Sequence, residues 1–188
     1  MDPISQATLG GALAQTIANR KNFAKITLIG CLAGMAPDLD VLIQSNEDPI
    51  LFLEFHRQFT HSLIFIPIGA LIVASALFLF FKKTLAFNVV YLAALLGYAT
   101  HALLDACTSY GTLLFWPFSN VRIAWNNVSV VDPLFTVPAL ILVICAIRSK
   151  KRLYTALALT WCFLYLMLGF IQHERTYRAA LEIANERQ

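Results

Sequence analysis

The sequence predicts an all-helical protein that crosses a membrane about five or six times. Hydrophobic residues make up 59% of the 188 positions and charged residues only 13%, whereas soluble domains average roughly 45–50% apolar and about 25% charged residues. The apolar residues fall into long runs, and a spanning helix needs about 20 of them. This length leaves no room for a sizeable second domain, so we expect a single membrane-embedded helical bundle over residues 1–188.

Six segments carry the helical pattern. In chain order they are residues 4–18, 22–44, 62–81, 85–104, 133–147 and 153–172. The first is rich in small residues that suit close helix packing, but at about 15 residues it is short for a full crossing, and a re-entrant helix is an equal alternative. The second contains Pro37. Because proline disfavours helix at the residue before it, we expect a span that is broken near its far end.

The remaining four segments are continuous. Residues 62–81, 85–104 and 153–172 each run for twenty positions without Asp, Glu, Lys or Arg, which is the length that a hydrocarbon core demands. Residues 133–147 are shorter but continue an apolar stretch just before them. The last stretch, residues 173–188, is polar, and we expect a helical stub there.

Basic residues predict the orientation in the membrane. Nine of the fourteen Lys and Arg residues lie in three short connections: Arg20, Lys21, Lys25, Lys82, Lys83, Arg148, Lys150, Lys151 and Arg152. Such connections stay in the cytoplasm, and alternating spans then place all four histidines and the carboxylates at the extracytoplasmic side. The net charge of +3 provides no basic face dense enough for nucleic acid, so we expect no nucleic-acid partner.

Histidines and carboxylates gather at the predicted far ends of the segments. The candidate metal ligands are His56, His61, His101, Asp105, Asp38 and Asp40. His101 and Asp105 are four residues apart, which places both side chains on one face of a helix. Gln6, on the first segment, could add a carbonyl ligand. An ionisable residue at membrane depth is a functional hypothesis by default, and here several share one depth.

This set of residues predicts a divalent metal centre. Imidazoles with carboxylates suit Zn²⁺ first, with Mn²⁺ or Fe as alternatives where oxygen ligands dominate. More than four ligands would hold two ions, which clamp phosphate esters and polarise a water. Asp38 and Asp40 could instead act as the general base, and Arg57 has the fork geometry that matches phosphate oxygens. The structural alternatives are hydrogen-bonded pairs, anchoring of Arg57 to lipid headgroups, and helix capping, which is the role expected of Thr60.

Several strings resemble a known family. They are DPISQ at residues 2–6, PDLD at 37–40, HRQFTHS at 56–62, HALLD at 101–105 and WPF at 116–118. Together they resemble the YdjM-like family of inner-membrane, metal-dependent hydrolases, also described as LexA-binding. The resemblance implies a multi-pass protein of a bacterial inner membrane with hydrolase activity of unsettled substrate. HALLD is also distantly similar to the zinc-dependent phospholipase C and P1 nuclease group, which implies phosphoester hydrolysis.

We therefore predict a metal-dependent hydrolase that acts at the extracytoplasmic interface, surrounded by membrane lipids, on a lipid-like or phosphate-bearing substrate. Two alternatives stay open. One is a transporter that relays protons or metal, and the other is a non-catalytic membrane partner protein with a structural metal. A transport path needs polar groups near the midplane and on both sides, whereas the cytoplasmic halves of these segments are apolar. That distribution favours an enzyme.

Overall fold

The computed structural model describes residues 1–43 and 56–186. Six α-helices occur there: α1 (Pro3–Gln15), α2 (Phe23–Met35), α3 (Ile66–Phe81), α4 (Phe87–Ala106), α5 (Pro133–Ser149) and α6 (Arg152–Glu186). Two short 3₁₀-helices, Ala36–Leu42 and Phe59–His61, lie between α2 and α3. The described residues form no β-strand, only an isolated bridge between Thr112 and Ile123. The all-helical prediction is therefore confirmed.

The described helices differ in whether they are long enough to cross a bilayer. Within the described ranges, two helices are long and apolar enough to cross a bilayer, α4 with 20 residues and α6 with 35. Helices α3 and α5 are apolar but have 16 and 17 residues, and α1 and α2 have 13 each. A 13-residue helix is about 20 Å long, short of a hydrocarbon core of about 30 Å. Five or six spans therefore remain a prediction.

Several predicted boundaries differ from the observed ones. Helix α1 ends at Gln15 rather than at residue 18, and α4 runs from Phe87 to Ala106 rather than from residue 85 to 104. Helix α3 begins at Ile66 rather than at residue 62, with Pro67 in its first turn, where proline needs no hydrogen-bond partner for its nitrogen. Helix α6 continues through the polar stretch to Glu186, so no separate stub follows the last apolar run. The break at Pro37 is present, because α2 ends at Met35 and a 3₁₀-helix follows. The predicted end of that segment at residue 44 lies outside the described residues.

Helices α1, α2 and α4 pack through glycines, as the small residues of the first segment predict. A Cβ atom on Gly10 would lie 2.6 Å from the carbonyl oxygen of Gly30, and one on Gly34 would lie 2.6 Å from that of Gln6. A Cβ atom on Gly97 of α4 would lie 2.9 Å from the Cα atom of Gly30. Membrane helices commonly approach each other through such small residues. This glycine seam sets α1 and α2 directly beside α4.

The two ends of the bundle differ in character. The α1–α2, α3–α4 and α5–α6 connections share one apolar cluster, which includes Ala18, Leu85 and Ala146. These connections hold six of the nine basic residues, and the adjoining helix ends hold the other three, Lys25, Arg148 and Arg152, so the positive charge collects at one end. Leu104 and Phe135 belong to a separate apolar cluster, near the end of α4 and the start of α5. That second end also carries the histidines and carboxylates of the candidate site.

Candidate metal centre

Four side chains from three elements meet at the end of the bundle away from the basic connections. Asp38 comes from the 3₁₀-helix after α2, His61 from the 3₁₀-helix before α3, and His101 and Asp105 from α4. One potential ligand atom of each lies within 4.8 Å of the other three. His61, His101 and Asp105 are fully buried, whereas the Asp38 side chain is 27% exposed. We refer to these four residues as the His–Asp cluster.

Four of the distances within the His–Asp cluster are close to those between the ligands of a tetrahedral cation. The two Nε2 atoms of His61 and His101 lie 2.8 Å apart. Asp38 Oδ1 lies 3.5 Å from Nε2 of His61 and 3.3 Å from that of His101. Asp105 Oδ2 lies 3.4 Å and 3.6 Å from the same two nitrogens. Ligand atoms at about 2.0–2.1 Å from a tetrahedral Zn²⁺ are separated by roughly 3.3–3.4 Å, so small shifts would seat one ion.

Hydrogen bonds at Nδ1 fix both imidazoles with Nε2 towards the cluster. His101 Nδ1 lies 2.6 Å from the Gly34 carbonyl oxygen, which can only accept, so Nδ1 carries the proton. His61 Nδ1 donates to Thr60 Oγ1 at 2.9 Å, because the Thr60 hydroxyl itself donates to Asp40 Oδ2 at 2.7 Å. In neutral imidazoles both Nε2 atoms then present lone pairs to each other and to two carboxylates. This is a donor set for a cation.

The electrostatics of the cluster also favour a cation. Burial lowers the pKa of the His61 imidazole, but the carboxylates of Asp105, Asp38 and Asp40 outweigh it and raise the pKa to about 10. A field that keeps a proton on a buried imidazole also attracts a metal ion, and metal binding displaces such protons.

Asp40 and His56, both predicted as ligands, lie outside the four-residue cluster. Asp40 Oδ1 lies 2.7 Å from His56 Nδ1. Asp40 Oδ2 accepts hydrogen bonds from the Arg57 backbone N–H at 3.0 Å and from the Thr60 hydroxyl, and it lies 3.4 Å from His61 Nδ1. Both oxygens of Asp40 are therefore engaged behind His61. A carboxylate in this position orients a metal-binding histidine and raises its basicity.

Arg57 lies beside the cluster, where the sequence predicts an anion-binding residue. Its Nε lies 3.3 Å from Asp105 Oδ2, and its guanidinium carbon lies 5.3 Å from the centre of the Tyr110 ring. The residue is only 8% exposed, and its buried Nη1 has no hydrogen-bond partner among the described residues. Its backbone adopts φ 62°, a left-handed conformation that non-glycine residues adopt at a cost and that concentrates at functional sites.

Gln6 reaches the cluster through its amide nitrogen rather than through its oxygen. Its Nε2 donates to Asp105 Oδ1 at 2.9 Å, so Gln6 positions that carboxylate. The Met1 amino group also contacts Asp105 Oδ1. Sequence reasoning missed two further contacts of the site, the Gly34 carbonyl behind His101 and the Thr60 hydroxyl behind His61, for which only a capping role was expected. The one available signal was that Thr60 directly precedes His61.

Comparison with known proteins identifies the family. A family model described as YdjM inner membrane protein matches residues 1–176, a range that holds the whole His–Asp cluster. The uncharacterized protein YfhP of Bacillus subtilis strain 168 is 30% identical over 128 residues, which is 66% of this chain. The match covers 38% of YfhP, so the chain spans less than half of that relative's length. No solved structure matches the chain. The chain belongs to the YdjM family of inner-membrane proteins.

Proposed function

We propose that this inner-membrane protein is a hydrolase that uses one divalent cation held by the His–Asp cluster. The observation that carries the proposal is the convergence of four lone-pair atoms from three separate elements, two imidazole nitrogens and two carboxylate oxygens. The five separations given above range from 2.8 Å to 3.6 Å. One of these atoms, Asp105 Oδ2, is buried without a hydrogen-bond partner among the described residues, which is costly unless a cation compensates it.

Zn²⁺ is the cation that this donor set suits best, with Mn²⁺ or Fe²⁺ as alternatives. His61, His101 and Asp105 would bind one ion and leave a fourth position for water or for Asp38. A second ion would need further ligands, but Asp40 and His56 contact each other instead. The described ranges contain no second group of this kind. We therefore favour a site for one ion over the two-ion alternative.

Different residues of the site have different roles in the proposed hydrolysis. His61, His101 and Asp105 would hold a divalent cation from the buried side. Such a cation would supply positive charge that polarises a substrate oxygen and favours attack by water. Asp38, which is 27% exposed on the open side, can complete the shell or accept a proton at its carboxylate from the attacking water. Arg57 offers its buried, unpartnered Nη1 to an anionic substrate group, and phosphate oxygens match its fork geometry.

The arrangement of charges supports an extracytoplasmic site. Basic connections of membrane proteins stay in the cytoplasm, and the His–Asp cluster lies at the other end of the bundle. A cluster at the extracytoplasmic boundary can receive a lipid-like or phosphate-bearing substrate from the adjoining leaflet. A transporter that relays protons or metal would need ionisable groups through the bundle as well. The described core near the basic connections is mostly apolar, with side chains such as Ile26, Val90 and Ala93. Its buried polar residues are uncharged and hydrogen-bonded: Gln15, Thr27 and Thr155.

Hydrolysis by the purified full chain tests the proposal. The protein is stripped of metal in detergent with a chelator and then supplied with Zn²⁺ or Mn²⁺. Phosphate release is measured from phosphatidic acid, and p-nitrophenol release from p-nitrophenyl phosphate. We expect activity only with metal, and none in His61→Ala. Arg57→Gln should retain metal but lose about 100-fold in rate, as for removal of one donor to a transition-state oxyanion.

Arg122→Gln is the matched control for Arg57→Gln. Arg122 lies at the same end of the bundle as the His–Asp cluster, but its Nη1 donates to the Gly111 carbonyl oxygen at 3.3 Å. We expect its activity to equal that of the unmodified chain. A folded protein that binds metal but hydrolyses nothing across a broad panel of phosphoesters and lipid esters would contradict the hydrolase. It would instead indicate the non-catalytic alternative.

A further inference from the structure

A second candidate site lies at the opposite end of the bundle. A cavity of about 550 Å³ opens between the α1–α2 connection and the start of α6, and small-molecule sites measure roughly 300–1,000 Å³. Four basic side chains and two large apolar ones line it: Arg20, Lys150, Lys151, Arg152, Phe23 and Leu153. We refer to it as the basic cavity. No residue of the His–Asp cluster contributes to it.

The positive charge of the basic cavity is not neutralised within the part of the chain that the structure describes. None of its four basic side chains forms an ion pair with a described carboxylate. Among the described residues, the arginines that do form ion pairs are Arg57 and Arg178, which lie outside the cavity. Arg152 instead donates Nη2 to the Ala18 carbonyl oxygen at 3.0 Å, which joins the two connections at the edge of the cavity. All four residues are exposed to solvent, and an anion between their charges would lower the repulsion that water leaves unscreened.

Two local features concern the basic residues of the cavity: a left-handed backbone at Lys150 and an uncompensated charge at the start of α6. Lys150 ends α5 with φ 54° and ψ 31°, a left-handed conformation that glycine or asparagine usually supplies. Helix α6 begins with Arg152 and has no acidic residue in its first turn, although the N-terminus of a helix favours negative charge. A bound anion would offset the charge of Arg152 at this helix end, so the local sequence fits a site that is completed by an anionic ligand.

We propose that the basic cavity binds a phosphate group, supplied by the headgroup of an anionic membrane phospholipid. Basic pockets between membrane helices on the cytoplasmic side bind such headgroups, and these basic connections are the ones predicted to face the cytoplasm. Phe23 and Leu153 give the cavity apolar walls for the part of the lipid next to the phosphate. The proposal does not depend on the hydrolase, because the two sites share no residue.

Lipid titration tests the proposal. Dioctanoyl phosphatidylglycerol, dioctanoyl phosphatidylcholine and inorganic phosphate are each titrated into the full chain in a neutral detergent, and binding is followed by native mass spectrometry. We expect phosphatidylglycerol to bind best. The triple variant Arg20→Gln, Lys151→Gln, Arg152→Gln should weaken its binding on the order of 100-fold, since each basic residue near the headgroup contributes about five-fold. The matched control Lys82→Gln, Lys83→Gln removes exposed charge from the α3–α4 connection and should leave binding unchanged.

A single variant keeps the proposal testable if the triple variant does not fold. Lys150→Asn removes one charge but places at φ 54° a residue that tolerates the left-handed conformation. It should fold at least as stably and bind phosphatidylglycerol about five-fold more weakly. If inorganic phosphate binds as tightly and responds alike to the variants, the phosphate site is supported and a free anion is its source. Equal binding of both lipids, or an equal loss in the Lys82, Lys83 control, would overturn the proposal.

Discussion

At the scale of single residues, the two imidazoles of the His–Asp cluster are oriented by their Nδ1 atoms, which face away from the cluster and form hydrogen bonds. His101 donates to a backbone carbonyl, that of Gly34, which α2 holds in place. His61 depends on side chains, the hydroxyl of Thr60 and, through it, the carboxylate of Asp40. Such outer contacts fix the ring orientation and raise ligand basicity. The orientation of His61 can therefore be altered by substitution without touching the cluster.

Replacement of the Thr60 hydroxyl tests this arrangement. Thr60→Val keeps the shape of the side chain but removes the link between His61 and Asp40, so we expect metal affinity to fall by about 10–100-fold. Thr60→Ser retains the hydroxyl and should bind like the unmodified chain. Affinity is measured by competition with a chelator of known strength, and helical content by circular dichroism. Equal affinities for the two variants would show that the hydroxyl does not position His61.

At the scale of elements, α4 is the central helix of the site and α6 is peripheral. Half of the most apolar window of α4 is buried, against 17% for α6, so α6 presents exposed side chains such as Phe163 and Leu164 to its surroundings. Helix α4 carries two of the four cluster residues, His101 and Asp105, and the glycine seam sets α2 against it. Precise contact along this seam therefore determines where the Gly34 carbonyl meets His101.

Gly10→Ala tests the glycine seam. The added Cβ would lie 2.6 Å from the carbonyl oxygen of Gly30, a backbone atom that cannot move away by itself. Helix propensity alone would favour alanine by about 1 kcal/mol, but overpacking costs about 1–3 kcal/mol. We expect a lower thermal unfolding temperature for the purified protein. Ser75→Ala, at an exposed position of α3, is the control and should change it little. A higher unfolding temperature for Gly10→Ala would contradict close packing at the seam.

At the scale of the whole molecule, the segregation of charge predicts which side of the membrane each proposed site faces. The basic connections gather at one end and the His–Asp cluster lies at the other. Because basic connections stay in the cytoplasm, the cluster should face the extracytoplasmic side and the basic cavity the cytoplasm. The two proposed sites then meet different leaflets of the same membrane.

Cysteine labelling tests this orientation. In a chain whose four native cysteines are replaced by alanine, Asn120→Cys introduces an exposed thiol at the cluster end and Lys83→Cys one in the α3–α4 connection. A membrane-impermeable maleimide should label position 120 in intact spheroplasts and position 83 only after the membrane is permeabilised. The reverse pattern would place the cluster in the cytoplasm.

Regular periodicity made much of the fold predictable, whereas irregular backbone limited prediction of the site. Uncharged runs of twenty residues predict α3, α4 and the first part of α6, and a spacing of four residues correctly puts His101 and Asp105 on one face of α4. The sequence pattern could not show that His61, rather than His56, joins the cluster. Both flank a stretch that includes Arg57 at φ 62°, and spacing gives no side-chain direction in such backbone. The polar end of α6 was also unpredictable as part of that helix, because a helix outside the hydrocarbon core needs no apolar pattern.

Metal content tests the central claim most directly. The unmodified chain, purified without chelator, should carry about one divalent ion per molecule by elemental analysis, as a single tetrahedral site requires. Asp105→Asn should lose that ion. Asp132→Asn should keep it, because Asp132 caps α5 away from the cluster and asparagine also caps helices well. If Asp105→Asn retains the same metal content as the unmodified chain, the His–Asp cluster is not the metal centre that this account proposes.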